Sequence, residues 1–400
     1  MNGAGFSDAS SSIPPFVGQG QALSLLSASS QYVDVSTSFF NLSSRSFTIQ
    51  AWIFFNTTSA SDRGIFGQCQ CSTCANQCLY FITRSTRLHI GFTSNELTGT
   101  TDLSASVWYH VTFVYNYDTK QQILYINGVQ DAIKSNAAAY QGVNGAIRIG
   151  ASQVYSNMAY FNGYIDNVKV TTRTKTSDEI LRDATLVGYY SFNGSNPLYD
   201  NGPNGVHASF SNGTTMAGRV GEAIRFSSGI CYFQIYGVYN FPRGVSLAMP
   251  ITISMWINPS SLTSSTFAQA FRTLGSSANC DNLLGISSVS SGYSAQLVVS
   301  SANNGQAKLT GPFLSSNAWT HISLIYNTTV GFSLYINGVY FGTSGPSTLT
   351  VGNVYAYFFL GYYRSCSAGG NNAGYEGAID EVYIHNRELT KQEIVALASV

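Results

Sequence analysis

Four cysteines lie close together in the segment "QCQCSTCANQC", residues 68–78. Clustered thiols serve one of three purposes: they bind a metal, they form a redox centre, or they hold a hairpin tip through disulfides. A structural zinc site usually draws two pairs of ligands that are roughly a dozen or more residues apart. A thioredoxin-like C-x-x-C precedes a helix of a βαβ unit, whereas Cys71 and Cys74 lie between two apolar, β-type segments.

Local disulfides are the interpretation that fits these surroundings. The strand-like "GIFGQ" precedes Cys69, and "CLYFITR" begins at Cys78, so the segment 69–78 is predicted to form a hairpin. Four cysteines allow three pairings. We expect the nested pairing, Cys69–Cys78 with Cys71–Cys74.

Three further cysteines occur in the second half of the chain. We expect a Cys280–Cys366 disulfide, because Cys280 lies near the hairpin that matches 69–78 and Cys366 precedes the last strand. Cys231 then remains as an unpaired thiol or as the site of an intersubunit bridge. Disulfides favour an oxidising compartment.

The two strands that contain a repeated aspartate lack the pair of carboxylates that a glycosidase needs. Glycoside hydrolysis needs two carboxylates about 5 to 10 Å apart, which residues i and i+2 of one strand can supply. Asp166 and Asp380 stand in "GYIDNV" and "GAIDEV", but Tyr164 and Ala378 occupy the positions two residues earlier. We therefore predict that the chain is not an enzyme, and that these aspartates accept backbone N–H groups where the last strand meets a turn.

Other possible sites of chemistry are better explained as structure. His110 and His321 have no nucleophile signature near them. Trp52 and Trp256 lie on apolar strands, which favours packing over sugar stacking. "GQGQ" at 18–21 precedes a strand and has no third glycine, so it is not a dinucleotide loop.

Composition excludes several partners. Lys+Arg 19 and Asp+Glu 19 balance to a net charge of zero, so no electrostatic footprint for nucleic acid exists. The longest apolar run, 354–363, is about half of what spans a bilayer, so no membrane insertion is expected.

The N-terminal residues lack the regions of a signal peptide, and the expectation of secretion rests on the cysteines and on five N-x-S/T sequons. The sequons are at Asn41, Asn56, Asn193, Asn212 and Asn327.

The chain repeats itself. "SFTIQAWIFF" at 46–55 answers "PITISMWINP" at 250–259, and "WYHVTFVYN" at 108–116 answers "WTHISLIYN" at 319–327. "LYINGV" and a G-x-I-D-x-V strand also recur in the same order. Two copies of one domain follow, with bounds 1–184 and 185–400.

Each copy shows the pattern of an all-β domain. Apolar residues alternate with a period of two, and Asn-Gly in "YINGV" predicts a two-residue hairpin. T-x-x-E capping boxes that begin at Thr176 and Thr390 predict one short helix at the end of each copy. The expected fold is two consecutive antiparallel β-sandwich domains of the jelly-roll type.

These motifs, closed by "R-x-L-T-x-x-E-I", resemble the laminin G-like branch of the concanavalin A-like lectin/glucanase superfamily. The first copy departs from the pattern, because "VGQGQALSL" at 17–25 has no equivalent of "LVGYYSF" at 186–192 before it. A strand is therefore expected to be missing, and an open sheet edge is a template for another chain. Either residues 1–16 or a neighbouring subunit would fill it.

The resemblance also implies where ligands would bind. No cofactor is required, but some relatives hold a structural calcium ion beside the last strand, which here implies Asp200, Asn204 and Asp380 as oxygen ligands. Aromatic residues of the rim loops, Tyr155, Tyr362 and Tyr363, are the candidates for stacking on sugars.

Two functions remain open. The first is a secreted, non-catalytic recognition or adhesion protein that binds glycans or extracellular proteins through rim loops. The alternative is a structural subunit of an extracellular fibre or matrix, in which further copies of the chain join through the N-terminal segment.

Overall fold

The computed structural model describes residues 4–6, 21–35, 41–58, 60–227, 230–238, 250–271, 280–290, 294–300, 307–346, 356–361 and 374–400. The chain divides into two compact units between Ala184 and Thr185, and each is called a domain below. Both are built almost entirely of antiparallel strands. In the described part of the chain, no helix is long and apolar enough to cross a bilayer.

The first domain has fifteen described strands and one α-helix. The strands are β1 (Ala4–Phe6), β2 (Leu23–Leu25), β3 (Val33–Val35), β4 (Phe47–Phe55), β5 (Arg63–Cys69), β6 (Cys78–Arg84), β7 (Arg87–Gly91), β8 (Glu96–Thr98), β9 (Trp108–Asn116), β10 (Gln121–Ile126), β11 (Val129–Lys134), β12 (Ile147–Ile149), β13 (Ala151–Val154), β14 (Asn157–Tyr160) and β15 (Gly163–Thr171). A 3-10 turn covers Ser27–Ser29, and helix α1 (Ser177–Thr185) ends the domain.

Two sheets of the first domain pack face to face. One has the order β1-β3-β12-β5-β6-β7-β8, and the other has the order β11-β10-β9-β4-β15-β2. Alternate residues of both sheets form the core between them, among them Phe47, Phe81 and Phe113. We call the face turned away from this core the outer face of each sheet. The hairpin β13–β14 forms a separate two-stranded sheet.

The second domain repeats this architecture. Its elements are β16 (Leu186–Tyr190), β17 (Ala208–Ser211), β18 (Thr214–Ala217), β19 (Glu222–Phe226), β20 (Tyr232–Val238), β21 (Ile251–Pro259), β22 (Ser265–Phe271), β23 (Cys280–Ser290), β24 (Ser294–Ser300), β25 (Ala307–Leu314), β26 (Thr320–Asn327), β27 (Gly331–Ile336), β28 (Val339–Thr343), β29 (Ala356–Leu360), β30 (Gly377–His385) and α2 (Lys391–Leu397). One sheet has the order β18-β19-β30-β21-β26-β27-β28 with β16 also paired to β30, and the other has the order β17-β20-β29-β22-β23-β24-β25.

The predicted turns and helix caps are confirmed. Asn127 and Gly128 both have positive φ, 51° and 84°, and Asn337 and Gly338 repeat this with 49° and 79°, as a two-residue hairpin turn requires. The side chain of Asn127 also accepts the backbone N–H of His110 in β9 at 2.9 Å, and Asn337 accepts that of His321 in β26 at the same distance.

Each terminal helix begins with a capping box. Thr176 and Glu179 exchange side-chain and backbone hydrogen bonds at 3.2 and 2.9 Å, and Thr390 and Glu393 do the same. These contacts satisfy N–H groups that the first helical turn leaves without partners. The prediction of one short helix at the end of each copy is therefore confirmed.

Ala4–Phe6, the described part of the N-terminal segment, lies elsewhere than the expected vacant edge. In the second domain β16 pairs with β30, and β16 has no counterpart among the described strands of the first domain. The sequence predicts that either residues 1–16 or a neighbouring subunit fills this place beside the last strand. The part that the structure describes, β1, pairs instead with β3 at the edge of the opposite sheet, because a short strand can add to any open ladder.

Candidate functional site

The hairpin β13–β14 lies on the outer face of the first domain's seven-stranded sheet, and two glycines of β5 allow it to approach. A Cβ atom on Gly64 would stand 2.4 Å from the backbone N of Ser152, and one on Gly67 would stand 3.0 Å from its Cα. Val154 and Ala159 of the hairpin pack on the outward-facing Tyr80 and Ile82. The hairpin thus becomes a second layer over this sheet.

A cavity of about 320 Å³ opens beside this hairpin. Its walls come from the cysteine hairpin, from the end of β5, from β12 and from β13–β14. The lining residues are Gly67, Cys69, Gln70, Ser72, Ala146, Arg148, Ala151, Ser152, Gln153 and Ser156. Most of these side chains are small or polar, so the cavity offers hydroxyl, amide and guanidinium groups rather than an apolar surface. We call it the hairpin pocket.

Nested disulfides hold one wall of the hairpin pocket. Cys69 is bonded to Cys78 and Cys71 to Cys74, the pairing expected from the sequence. Cys78 is fully buried against Tyr80, while Cys71 and Cys74 are only partly buried. The tip therefore keeps a fixed shape although it protrudes from the sheet.

Amide side chains fix the remaining walls. The Gln70 Oε1 atom accepts the backbone N–H groups of Val143 and Asn144 at 2.8 and 3.2 Å. Gln153 Nε2 donates to the carbonyl of Tyr155 at 2.7 Å and so closes the β13–β14 turn. These hydrogen bonds fix two walls of the pocket before a ligand arrives, which is the preorganisation that ligand binding favours.

Arg148 is the charged residue of the lining. It projects from the outer face of β12, where its neighbours Ile147 and Ile149 face the core. Its Nε donates to Asp34 Oδ1 at 3.1 Å, and its guanidinium lies 5.0 Å from the centre of the Tyr32 ring. A guanidinium carries five donors, so Arg148 can bind Asp34 and still present N–H groups to a ligand.

A carboxylate anchors the tip of the β13–β14 hairpin. Glu96 Oε1 accepts hydrogen bonds from the hydroxyls of Tyr80 and Tyr155, and Glu96 Oε2 lies 3.5 Å from His89 Nε2 and 3.7 Å from Arg84 Nη1. Tyr155, a predicted sugar-stacking residue, is 42% exposed at the hairpin turn. Its hydroxyl is engaged, and its role in stacking remains a prediction.

Electrostatics keep this anchor in one protonation state near neutral pH. Burial acts to raise the pKa of Glu96, but the hydrogen bonds from Tyr155 and Tyr80 hold it below its usual value. Burial, together with the charge of Arg84, lowers the pKa of His89 to about 4. Glu96 is therefore ionised and His89 neutral at pH 7. Neither group has the raised pKa that a general acid needs.

Asp166 and Asp380 occupy equivalent places on the last strand of each domain, paired with Trp52 and Trp256. Asp380 is fully buried, and its two oxygens accept the N–H groups of Val220 at 2.9 Å and Glu381 at 2.8 Å. Burial raises the pKa of Asp380 to about 6. The structural role expected for this carboxylate agrees with these contacts.

The predicted calcium ligands are occupied by other contacts. Asp200 Oδ1 accepts the N–H groups of Tyr189 and Gly202 at 2.9 and 2.8 Å, and its Oδ2 accepts Val206 N–H at 2.9 Å. Asn204 donates to the carbonyls of Leu186 and Val187. Within the described residues, no three acidic, histidine or cysteine side chains are grouped for a metal. These contacts hold the loop of residues 199–206 between β16 and β17, called the entry loop below, and the calcium site of Asp200, Asn204 and Asp380 remains a prediction.

The histidines and tryptophans of the repeat are structural. His110 and His321 lie edge-on to Trp52 and Trp256, with ring centres 5.0 and 5.3 Å apart. Burial lowers the pKa of His110 to about 3 and that of His321 to about 4. Both tryptophans are at most 5% exposed, so neither can stack on a sugar.

The remaining predicted residues fall into two groups. Cys231 is fully buried, and its Sγ contacts the carbonyl of Asn212. A bridge to another subunit needs an accessible sulfur, so the suggested intersubunit role of Cys231 does not fit its burial. Tyr362, Tyr363 and Cys366 lie outside the described residues, as does the side chain of Cys280 at the start of β23.

Sequence reasoning missed the hairpin pocket. It located the cysteine hairpin but not the β13–β14 hairpin that faces it, because "ASQVYSNMAY" carries no strong turn signal. The available clue was the pair of glycines in β5, since glycine within a strand often marks close backbone approach.

Comparisons with known proteins place the chain by fold. A laminin G-like family model, described as the concanavalin A-like lectin/glucanases superfamily, matches residues 27–181 and 236–395. No curated protein gave a significant match.

Several solved structures match parts of this chain at low similarity. Domain 4 of AbnA, an extracellular arabinanase from Geobacillus stearothermophilus solved with arabinotriose, is 24% identical with a TM-score of 0.37, over 53% of this chain and 98% of that chain. The binding domain of botulinum neurotoxin DC is 16% identical with a TM-score of 0.37, over 55% of this chain and 52% of that chain. A sialidase CBM40 from Ruminococcus gnavus bound to sialyllactose is 18% identical with a TM-score of 0.30, over 35% of this chain and 82% of that chain. Likeness at this level carries no information about the ligand of this chain.

Proposed function

This chain belongs to the concanavalin A-like lectin/glucanase superfamily as a tandem of laminin G-like domains, and we propose that it is a secreted, non-catalytic recognition protein. Its first domain binds glycans in the hairpin pocket. The proposal rests chiefly on one observation, the polar, rigidly walled cavity beside the disulfide-bonded hairpin.

The size and lining of the hairpin pocket suit a short saccharide. Its volume of about 320 Å³ is at the lower end of the range for small-molecule sites, roughly 300 to 1,000 Å³. Ser72, Ser156 and Arg148 offer hydroxyl and guanidinium groups to sugar hydroxyls. A saccharide end of one or two units therefore fits better than a long chain that would need an open groove.

The lining also supports binding without catalysis. Glycoside hydrolysis uses two carboxylates about 5 to 10 Å apart, and the described lining of the pocket contains no aspartate or glutamate. Asp34, the acid that contacts the lining residue Arg148, is held by its guanidinium at 3.1 Å. A sugar bound here would meet donors that orient it and no acid to protonate a leaving group.

Two observations bear on location and assembly. The two disulfides of the cysteine hairpin support an oxidising, extracellular setting. The alternative of a fibre assembled through the N-terminal segment gains no support from β1, because Ala4–Phe6 already pairs with Val33–Val35 of its own domain. We therefore favour recognition over a structural fibre.

The proposal is tested by incubating the full, non-reduced chain with a broad glycan array and measuring affinity for the best ligand by calorimetry. We expect a saccharide ligand whose dissociation constant rises at least about tenfold in Arg148→Ala, because a hydrogen bond to a charged group is worth about 1.5 to 3 kcal/mol.

Arg173→Ala is the matched control. Arg173 pairs with Glu179 on the helix side of the same domain and lies away from the pocket, so affinity should not change. The absence of any array ligand, or equal weakening by both variants, would contradict the proposal. Binding to an extracellular protein instead of a glycan would show as a bare array and a protein ligand that still depends on Arg148.

A further inference from the structure

The two domains close the same sheet edge in different ways. In the first domain, Asp131 stands at a β-bulge of the edge strand β11. Its Oδ1 accepts Thr101 N–H at 3.0 Å and Thr100 Oγ1 at 2.9 Å, and its Oδ2 accepts Thr100 N–H at 3.1 Å. A polar clasp thus joins the edge of one sheet to the chain that follows β8 of the other.

All three positions of this clasp are apolar in the second domain. The shared "LTG" aligns Thr100 and Thr101 with Pro312 and Phe313, and the shared "YINGV" aligns Asp131 with Phe341. The bulge is retained, since the register shifts between Leu334 and Tyr335 as it does in the first domain. All three hydrogen-bonding residues of the clasp are therefore replaced by apolar residues at the same place in the fold. We take this joint replacement as the sign of a different use for this edge.

Two of the apolar residues at the clasp positions remain in solvent, since Phe313 is 60% exposed and Phe341 44%. Their neighbours on β28 are also exposed, Tyr340 by 51% and Val339 by 67%, and Val339 matches Val129 of the first domain, which is 66% exposed. We call Phe313, Val339, Tyr340 and Phe341 the apolar edge. Phe313 lies on β25 and the other three residues on β28, and these two strands contact each other. Single exposed apolar residues are normal on protein surfaces, whereas a group of neighbouring ones that reaches a few hundred Å² is often functional.

The apolar edge is poorly suited to binding a partner through backbone hydrogen bonds to an added strand. Pro312 lacks an N–H group and the bulge at Phe341 interrupts the ladder, and both devices disfavour addition of another strand. The partner must therefore be held by side-chain packing. Because β28 carries no charged residue, the surface that fits it must also be apolar and uncharged.

We propose that the apolar edge is a dimer interface on which the same edge of a second copy packs across a twofold axis. A twofold contact places each patch against its own copy, so an uncharged apolar patch is self-complementary. The chain has a net charge of zero, so two copies do not repel each other at long range.

The area sets the strength of this contact. With about 150 to 250 Å² per aromatic side chain, the exposed parts of the four residues offer roughly 400 Å² per copy. Two copies would then bury about 800 Å² before any rim contacts, which is typical of weak association. We therefore expect a reversible dimer with a dissociation constant in the micromolar range or above. Twofold contacts close on themselves, so the assembly stops at the dimer.

Sedimentation equilibrium of the full, non-reduced chain from micromolar to millimolar concentration tests the proposal. The wild type should shift from monomer to dimer. Phe341→Asp, which restores the residue type that the first domain has at this position, should raise the dissociation constant at least about tenfold, because two central aromatic contacts are lost for each dimer.

Ile133→Asp is the matched control, since Ile133 lies on the equivalent strand β11 and is 46% exposed. It should leave the dimer unchanged. A wild-type chain that is monomeric throughout, a Phe341→Asp variant that still dimerises normally, or growth beyond the dimer would overturn the proposal. The hairpin pocket is in the other domain, so glycan binding can fail or succeed independently of this result.

Discussion

At the level of single residues, buried carboxylates of the second domain hold the backbone in place. Asp200 and Asp380 together accept N–H groups from the entry loop, from the chain before β19 and from β30. A carboxylate accepts several hydrogen bonds at once, so one side chain can satisfy backbone N–H groups that have no carbonyl partner on a neighbouring strand. Such residues are easily mistaken for ligands when only their sequence pattern is known.

Asp380 should titrate unusually high. Burial raises its pKa from 3.8 to about 6, so the folded state binds this proton more tightly than the unfolded state. The stability that this proton provides is fully present below about pH 4 and is lost as the pH rises through 6. Carboxyl-carbon NMR should show Asp380 titrating near 6 and Glu393, whose pKa the Arg387 hydrogen bond lowers to about 2, titrating far below it. A normal pKa for Asp380 would contradict the burial seen here.

The sequons should differ in use when the chain is made in a glycosylating host. Asn41, Asn56 and Asn212 are exposed, whereas Asn327 is half-buried and its Nδ2, the atom that carries the sugar, donates to Glu388. Asn193 is exposed but its Oδ1 accepts Glu222 N–H at 2.7 Å. Glycopeptide mass spectrometry should find the first three occupied more than Asn327. Full occupancy at Asn327 would count against the Glu388 contact.

At the level of elements, local signals predicted local structure. Asn-Gly specified both hairpins and T-x-x-E specified both helix starts, because these residues act within a few positions of the chain. The position of β1 and the packing of β13–β14 were not predictable in this way. Each depends on which surface a short segment meets after folding, and neither "AGF" nor "ASQV" encodes that surface.

Gly64 gives a test of the second layer. A Cβ at this position would lie 2.4 Å from Ser152 N and 2.5 Å from the Ala159 carbonyl oxygen, which are backbone atoms that cannot rotate away. We expect Gly64→Ala to reduce the free energy of unfolding by about 1 to 3 kcal/mol, the usual cost of overpacking. Urea denaturation measures this change.

Gly342→Ala is the control for this prediction. A Cβ there would meet its nearest neighbour, Leu309 Cδ1, at 3.6 Å, an ordinary van der Waals distance. Its stability should stay within about 0.5 kcal/mol of the wild type. Equal effects of the two substitutions would show that the β13–β14 hairpin does not lie against Gly64.

At the level of the whole molecule, one fold serves two different surfaces. The first domain has a polar pocket and a closed polar clasp, while the second replaces that clasp with the apolar edge. A dimer of this chain would carry two copies of the hairpin pocket. It could bind two saccharides of one surface at once, and bivalent binding of this kind gains affinity without new contacts. The repeat was evident from the sequence, but the proposed division of roles was not, because it depends on which side chains remain exposed.

The most direct test of the account is calorimetry of the array-selected saccharide with a variant that fills the hairpin pocket. Ala146 is an exposed lining residue, so Ala146→Trp should abolish binding without disturbing the core. Ala75→Trp makes the same substitution at an exposed position on the cysteine hairpin outside the lining and should bind like the wild type. Unchanged affinity in Ala146→Trp would contradict the central claim that the ligand occupies this pocket.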